Sequence, residues 1–232
     1  LADEVVRTVL VVDTTGPVVT RIGQETIVHE AGTDYFDPGA SASDIVEGDV
    51  STLVTVTGAV DVAVTGEYKL VYSAVDSLDN EGIPVERVVH VVDTTQPEIT
   101  LLGQAEELVE AALEYNDPGA EASDSVDGDL TASLQIQSDV NVYAEGSYSV
   151  KFNVTDASGN AADEVTRTVR VVDRTPPLIT LLGQAIVAHE AKLPYQDAGA
   201  TAVDSLDGSL TGKLSITSTV DTDAVGAYSV HY

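Results

Sequence analysis

The sequence predicts an all-β chain of tandem antiparallel β-sandwiches, and three observations carry that reading. A unit of 80 residues recurs without insertion. Apolar residues alternate at every second position. Gly, Pro, Asp and Asn punctuate the segments between.

The repeat comes first. VVDTT at Val11–Thr15 returns at Val91–Thr95, and VVDRT follows at Val171–Thr175. Their aspartates, Asp13, Asp93 and Asp173, stand 80 residues apart. Gly23-Gln24 returns at 103–104 and 183–184; Tyr35-Phe-Asp-Pro-Gly-Ala returns as Tyr-Asn-Asp-Pro-Gly-Ala at 115–120 and as Tyr-Gln-Asp-Ala-Gly-Ala at 195–200; Gly66-Glu-Tyr68 returns as Gly-Ser-Tyr at 146–148 and as Gly-Ala-Tyr at 226–228. Eighty residues is too long for one solenoid turn and suits a small sandwich. The expected domains are therefore 14–93, 94–173 and 174–232, the third stopping before its last strand. Residues 1–13 are read as the last strand of an upstream repeat, because LADEVVRTVLVVD matches AADEVTRTVRVVD at 161–173. The chain thus reads as a piece of a longer protein. Very short linkers between repeats predict an extended rod.

Period two places the strands. Tyr148, Val150, Phe152 and Val154 share one face, with Ser149, Lys151 and Asn153 on the other. The next strand alternates through Val165, Val169 and Val171. Leu134 with Ile136 marks another, and Ala120 with Ala122 a further one. About seven strands per repeat are expected. Ala105–Leu113 is helix-friendly in isolation, but β-branched residues at the aligned positions argue against a helix there. Gly-x-Tyr before the strongest strand suits a tyrosine corner, in which the hydroxyl bonds back to the backbone; a plain core aromatic is the alternative.

Composition narrows function. Thirty-nine acidic residues against ten basic ones give a net charge of -29. Such a surface repels nucleic acid and anionic lipid. Cys is absent, so no disulfide, thiolate metal site or Cys nucleophile exists. No apolar run reaches the ~18 residues of a membrane span. His29 and His189 align, but Val109 takes that place in repeat two, which argues against a required base or ligand. No phosphate loop, nucleophile elbow or zinc motif appears. The chain reads as non-catalytic.

The acidic loops carry the one chemical expectation. In an immunoglobulin-like topology the entering linker and two loops meet at one pole. In repeat one they bring Asp13, Asp44, Glu47, Asp49 and Asp76. In repeat two they bring Asp93, Asp124, Asp127, Asp129, Asp156 and Asn160, and in repeat three Asp173, Asp204 and Asp207. Like charges ~5 Å apart repel by roughly 1 kcal/mol per pair even at water-like dielectric. Ca²⁺, which takes oxygen ligands from carboxylates, amides and carbonyls, would reverse that sign. Solvated acidic turns are the bland alternative. The spacing is not an EF-hand, because no Glu stands at the twelfth position.

These motifs resemble a known family. D-T-T-x-P-x-I-T-L-L-G, Y-x-D-P-G-A-x-A-x-D, D-G-D-L-T, G-x-Y-x-V and T-D-x-x-G-N-x-A look like bacterial immunoglobulin-like surface-protein repeats. That family is found also in a pesticidal crystal protein and is similar to hyalin repeats. Ala198 and Ser209 depart from the pattern. The resemblance implies an extracellular or cell-surface location and a structural spacer in an adhesin-type protein; the acidic loops add calcium as its stiffener. The competing reading is an accessory module of a secreted hydrolase, with a surface polysaccharide or a protein as ligand. The other expected partners are neighbouring repeats and, for the isolated fragment, a second copy whose residues 1–13 complete repeat three.

Overall fold

The computed structural model describes residues 2–232. Repeat one forms seven strands: β1 (Val18–Arg21), β2 (Thr26–Glu30), β3 (Ala40–Asp44), β4 (Gly48–Asp49), β5 (Thr55–Thr57), β6 (Gly66–Ser73) and β7 (Val85–Val92). Repeat two has the same seven: β8 (Glu98–Leu101), β9 (Glu106–Glu110), β10 (Ala120–Asp124), β11 (Gly128–Asp129), β12 (Gln135–Ser138), β13 (Gly146–Asn153) and β14 (Val165–Val172). Within the helix-friendly stretch at 105–113, Glu106–Glu110 is strand β9 and no helix forms.

Each complete repeat builds two sheets. One has the order β1-β3-β4, the other β2-β7-β6-β5, and repeat two repeats both orders. The central strand of the larger sheet, β7 or β14, has two partners. It pairs antiparallel with β6 or β13 and parallel with β2 or β9. The alternation read from the sequence sets what lies between the sheets. In repeat one Val19, Ala42, Val50, Leu70, Tyr72 and Ala74 form one buried cluster. In repeat two Val150, Phe152, Val154, Val169 and Val171 are at most 3% exposed. The acidic D-x-x-[DE]-G-D loop is the turn of a β3–β4 or β10–β11 hairpin within one sheet. It is not a crossing between sheets. A 3₁₀ turn at Ser51–Leu53 follows it and leads into β5.

Repeat three has β15 (Leu178–Leu181), β16 (Ala200–Asp204), β17 (Gly208–Ser209), β18 (Thr217–Ser218) and β19 (Val230–His231). Its first sheet, β15-β16-β17, is complete, and its second is the pair β18-β19. Residues 2–13, expected as a strand, form none. A strand exists through its ladder, and no strand among the described residues pairs with them.

The tyrosine corner is present in all three repeats. The Tyr68, Tyr148 and Tyr228 hydroxyls donate to the carbonyls of Val64, Ala144 and Ala224 at 2.8, 2.9 and 3.1 Å. Each tyrosine therefore ties the start of its strand to the preceding turn.

The chain divides into two compact units. One runs to Pro97 and adds Ser123–Leu130 and Thr155–Ala161; the other holds Glu98–Ala122, Thr131–Val154 and Ala162–Tyr232. The first unit therefore contains repeat one, the linker after it, and the two acidic loops of repeat two.

Candidate metal centre

Two groups of three aspartates gather within the first unit. Asp13, Asp44 and Asp76 each place a carboxylate oxygen within 4.8 Å of the other two, and so do Asp93, Asp124 and Asp127. Each group takes one residue from the entering linker and one from the end of β3 or β10. The third comes from the 76–80 loop in repeat one and from the hairpin turn in repeat two.

The turns aim these carboxylates. Asp44 accepts hydrogen bonds at Oδ1 from the amides of Val46 and Glu47, at 2.7 and 3.0 Å. Asp124 does the same with Val126 and Asp127, at 2.7 and 3.0 Å. Gly48 and Gly128 close the two turns at φ 80° and 74°, in the left-handed region that glycine enters without a Cβ penalty. The linker aspartates are held the same way, Asp13 by the Thr15 amide and Asp93 by the Thr95 amide, both at 3.2 Å.

In each of these four aspartates one oxygen is engaged and the other is not. Oδ2 of Asp13, Asp44, Asp93 and Asp124 is buried without a hydrogen-bond partner. Asp44 and Asp93 are both only 7% exposed. A buried carboxylate oxygen without a partner is costly, and a cation is one group that satisfies several at once. The donor set is all oxygen, which suits a hard cation such as Ca²⁺.

The remaining acidic residues have other work. Glu47 is engaged by the amide and hydroxyl of Ser77. Asp127 accepts the aligned amide, Ala157, at 2.7 Å through Oδ2. Asp49 accepts the Ser51 hydroxyl at 2.6 Å, and that bond, with the one from the Ser51 amide, holds its carboxyl below the ordinary range. Asp129 occupies the aligned position and stands outside the group. Asp156 and Asn160 brace their own loop. Asn160 donates to Asp156 from its side chain at 2.8 Å and its amide at 2.7 Å, and reaches the Asp93 carbonyl at 3.1 Å. Burial opposes the charge of Asp156, but the bonds from Asn160, Gly159 and Ser158 outweigh it and lower its pKa. Asp76 is held alike, with burial outweighed by Asn80 and Leu78. Asp79, at φ 61°, takes the left-handed position that Gly159 fills in repeat two. Asp173, Asp204 and Asp207 form no such group among the described residues. Ser209 does not explain that, because Asp129, its counterpart, is not a member in repeat two.

Two features escaped the sequence reading. The first is a glutamate at the end of β2 and β9 that grips the next linker. Glu30 accepts from the Thr94 amide and hydroxyl, both at 2.8 Å, and from the Thr95 hydroxyl at 2.9 Å. Glu110 accepts from the Arg174 amide at 2.7 Å and the Thr175 hydroxyl at 2.8 Å. These bonds hold both carboxyls below the ordinary glutamate range. The second is a buried arginine. Arg87 and Arg167 are 0% exposed and occupy core-facing places in β7 and β14. Arg167 meets Asp117 at 2.9 Å and Glu107 at 3.6 Å, and donates to the carbonyls of Leu102 and Gly119. Arg87 meets Asp37 and the carbonyls of Ile22, Gln24 and Gly39. The D-P-G aspartate is thus an ion-pair partner as well as a turn residue. The signal was available, since Arg7, Arg87 and Arg167 keep the repeat period in phase with core valines.

Residues 19–91, 99–171 and 179–232 each match the family described as bacterial surface protein, Ig-like domain. The pesticidal crystal protein Cry22Aa of Bacillus thuringiensis is 30% identical over 199 residues, covering 83% of this chain and 27% of its own length. The chain therefore spans about a quarter of that relative. Among solved structures, the lipoprotein BT2262 from Bacteroides thetaiotaomicron is 18% identical, covers 65% of this chain and 99% of its own, and has a TM-score of 0.31. The fibronectin(III)-like modules of Clostridium thermocellum CbhA are 16% identical, cover 67% of this chain and 95% of their own, and have a TM-score of 0.27.

Proposed function

Because the chain belongs to the family of bacterial surface protein Ig-like domains, we propose that it is a non-catalytic spacer of an extracellular, adhesin-type surface protein. Calcium bound by the linker aspartate and the hairpin aspartates of the following repeat would stiffen it. The observation that carries this is the pair of orphaned buried oxygens in each aspartate group. Linker and hairpin each present one oxygen to the same point and spend the other on the local backbone. An ion there joins a linker to the repeat that follows it. The fixed geometry of a spacer needs that kind of joint.

The physical consequence is linkage. A ligand that binds only the folded form at tenfold over its Kd stabilises by about 1.4 kcal/mol. Extracellular calcium modules bind in the 10⁻⁴–10⁻³ M range, so millimolar calcium would produce such a shift.

The test is thermal unfolding of the full chain in chelator, in millimolar Ca²⁺ and in Mg²⁺ at matched ionic strength. The expected result is an upward shift with Ca²⁺ that Mg²⁺ does not reproduce. Asp124→Asn retains an acceptor for the Val126 and Asp127 amides but loses the charge. It should remove part of the shift, and Asp93→Asn likewise. Equal shifts with both ions, unchanged in these variants, would mean surface screening and would sink the calcium reading.

A further inference from the structure

We propose that the acidic hairpin turn of repeat two is a docking surface for repeat one. Val126 at its tip covers the repeat-one core where β7 runs out into the linker, and repeat one takes part of its stability from that contact. The contact is apolar and needs no ion. Four observations lead to it.

First, the tip touches the core of the preceding repeat. Ala31, Val89 and Val91, at 3%, 0% and 2% exposed, form a buried cluster, and Tyr35, Val60, Tyr68 and Val126 pack against it. Val126 is the member of that set that comes from repeat two. A Cβ placed on Gly32 would stand 3.9 Å from Val126 Cγ2 and 3.8 Å from the Ser125 carbonyl oxygen, so the turn also lies along the Ala31-Gly32 corner. Residues 123–130 accordingly belong to the same compact unit as repeat one.

Second, the residue type is wrong for a solvated turn. Val126 stands between Asp124 and Asp127, in a hairpin turn where polar residues are the rule. It is half-buried, although Ser125 and Asp127 beside it are exposed. Leu206 in repeat three shows the same pattern, half-buried between exposed Ser205 and Asp207. Val46 is the aligned residue of repeat one, so every copy of the acidic turn carries an aliphatic tip.

Third, the turn is shaped in advance by its own repeat. Asp124 Oδ1 accepts the Val126 and Asp127 amides at 2.7 and 3.0 Å, and Asp127 Oδ2 accepts the Ala157 amide at 2.7 Å. Gly128 closes the turn at φ 74°. A tip held this way loses little conformational freedom when it docks.

Fourth, the linker beside the contact is held from both repeats. Glu30, next to Ala31, grips Thr94 and Thr95 from repeat one. Asn160 donates to the Asp93 carbonyl at 3.1 Å from repeat two. The docking step is therefore intramolecular, and at high effective concentration one aliphatic side chain is enough to matter.

Under the calcium reading an ion would hold the same turn through Asp124, so the test runs in chelator, where that reading plays no part. Hydrogen exchange of the full chain, followed by mass spectrometry, compares β7 of repeat one with β14 of repeat two. Val126→Ala removes apolar contact from the repeat-one core, and β7 should exchange at least about threefold faster while β14 keeps its rate. Val126→Leu, the residue that repeat three uses, should keep both rates. Unchanged β7 exchange in Val126→Ala would overturn the proposal. So would equal acceleration of β7 and β14, because the turn would then be supporting its own repeat. Faster β7 exchange in chelator, together with no stabilisation by millimolar Ca²⁺, would leave this contact standing and remove only the ion.

Discussion

Repeats two and three carry closely similar sequences, but the described residues form seven strands in one and five in the other, and the difference is not shared equally by their sheets. The sheet β15-β16-β17 matches β8-β10-β11, with Ala200 and Ala202 buried like Ala120 and Ala122. The other sheet collapses to two short strands. Tyr228 is 39% exposed, although its hydroxyl still reaches Ala224. The reason is connectivity. The first sheet draws only on strands from the first half of the repeat, β15 paired with β16 and β16 joined to β17 by a hairpin turn, so its ladder is complete within the described residues. The second depends on a central strand that arrives last and has a partner on each side. Strand β14 therefore organises half of the sandwich, and the buried arginine sits in its middle.

The sharpest way to break the comparison is to make repeat two resemble repeat three without removing the strand. Arg167→Met keeps an apolar stem and leaves Asp117 without its cation, which is 2.9 Å away in the intact repeat. Removing one partner of a buried pair costs about 3–5 kcal/mol, because the other charge remains behind. Unfolding in urea, followed by far-UV circular dichroism because the chain has no Trp, should show the repeat-two transition displaced by that amount. The double variant Arg167→Met with Asp117→Asn should recover part of the loss. A cost below about 1 kcal/mol would mean that packing, rather than the ion pair, seats β14.

The same comparison shows what was legible beforehand. Strand count, the alternating faces at Val150 and Phe152, and the tyrosine corner were all readable, because each rests on local spacing. The gathering of Asp44 with Asp13 and of Asp124 with Asp93 was also readable, because an immunoglobulin-like topology brings the entering linker and the acidic loop to one pole. Asp76 and Asp127 were both among the candidates, but which loop supplies the third member of each group was not readable. Asp76 serves in repeat one and Asp127 in repeat two, because Glu47 is engaged by Ser77 while Asp127 reaches both the group and Ala157. One methylene of side-chain length is invisible to a pattern. Arg167 was passed over because a charge in core phase reads as an interruption of the alternation. Its partner lies 50 residues away in a motif that a turn already explained. The ionisation of the neighbouring tyrosines follows the same division. Burial, then the bond to Asp117, raises the pKa of Tyr115, whereas for Tyr195 the bond to Asp197 comes first.

A smaller effect sharpens the comparison at the tyrosine corners. The Tyr148 and Tyr228 hydroxyls make the same bond, but only Tyr148 lies on a full-length strand. Tyr148→Phe should cost about 1 kcal/mol, the net worth of one ordinary hydrogen bond. Tyr228→Phe should cost clearly less, because there is little folded sheet for the bond to hold. Chemical denaturation of the two variants side by side checks this, and equal costs would mean that the corner acts locally, whatever the strand beyond it.

The smallest effect concerns the linker grip. Glu110 is held below its ordinary value near 4.5 first by the Arg174 amide and then by the Thr175 hydroxyl, with burial opposing. A carboxyl lowered in the folded state contributes stability that is complete above the ordinary glutamate value. That contribution fades as pH falls through the lower folded value. The grip on Arg174 and Thr175 should therefore persist at neutral pH and release only in acid, below about pH 4.5. Backbone amide shifts of residues 174 and 175 across an acid titration would follow it. Glu110→Gln should remove that titration and leave only a small loss of stability at neutral pH, since the group is only partly buried and solvent screens it. Glu190→Gln is the matched control, because the aligned glutamate has no following linker among the described residues. If the Thr175 amide titrates unchanged in Glu110→Gln, the linker is held by its own Asp173 turn and the glutamate is incidental.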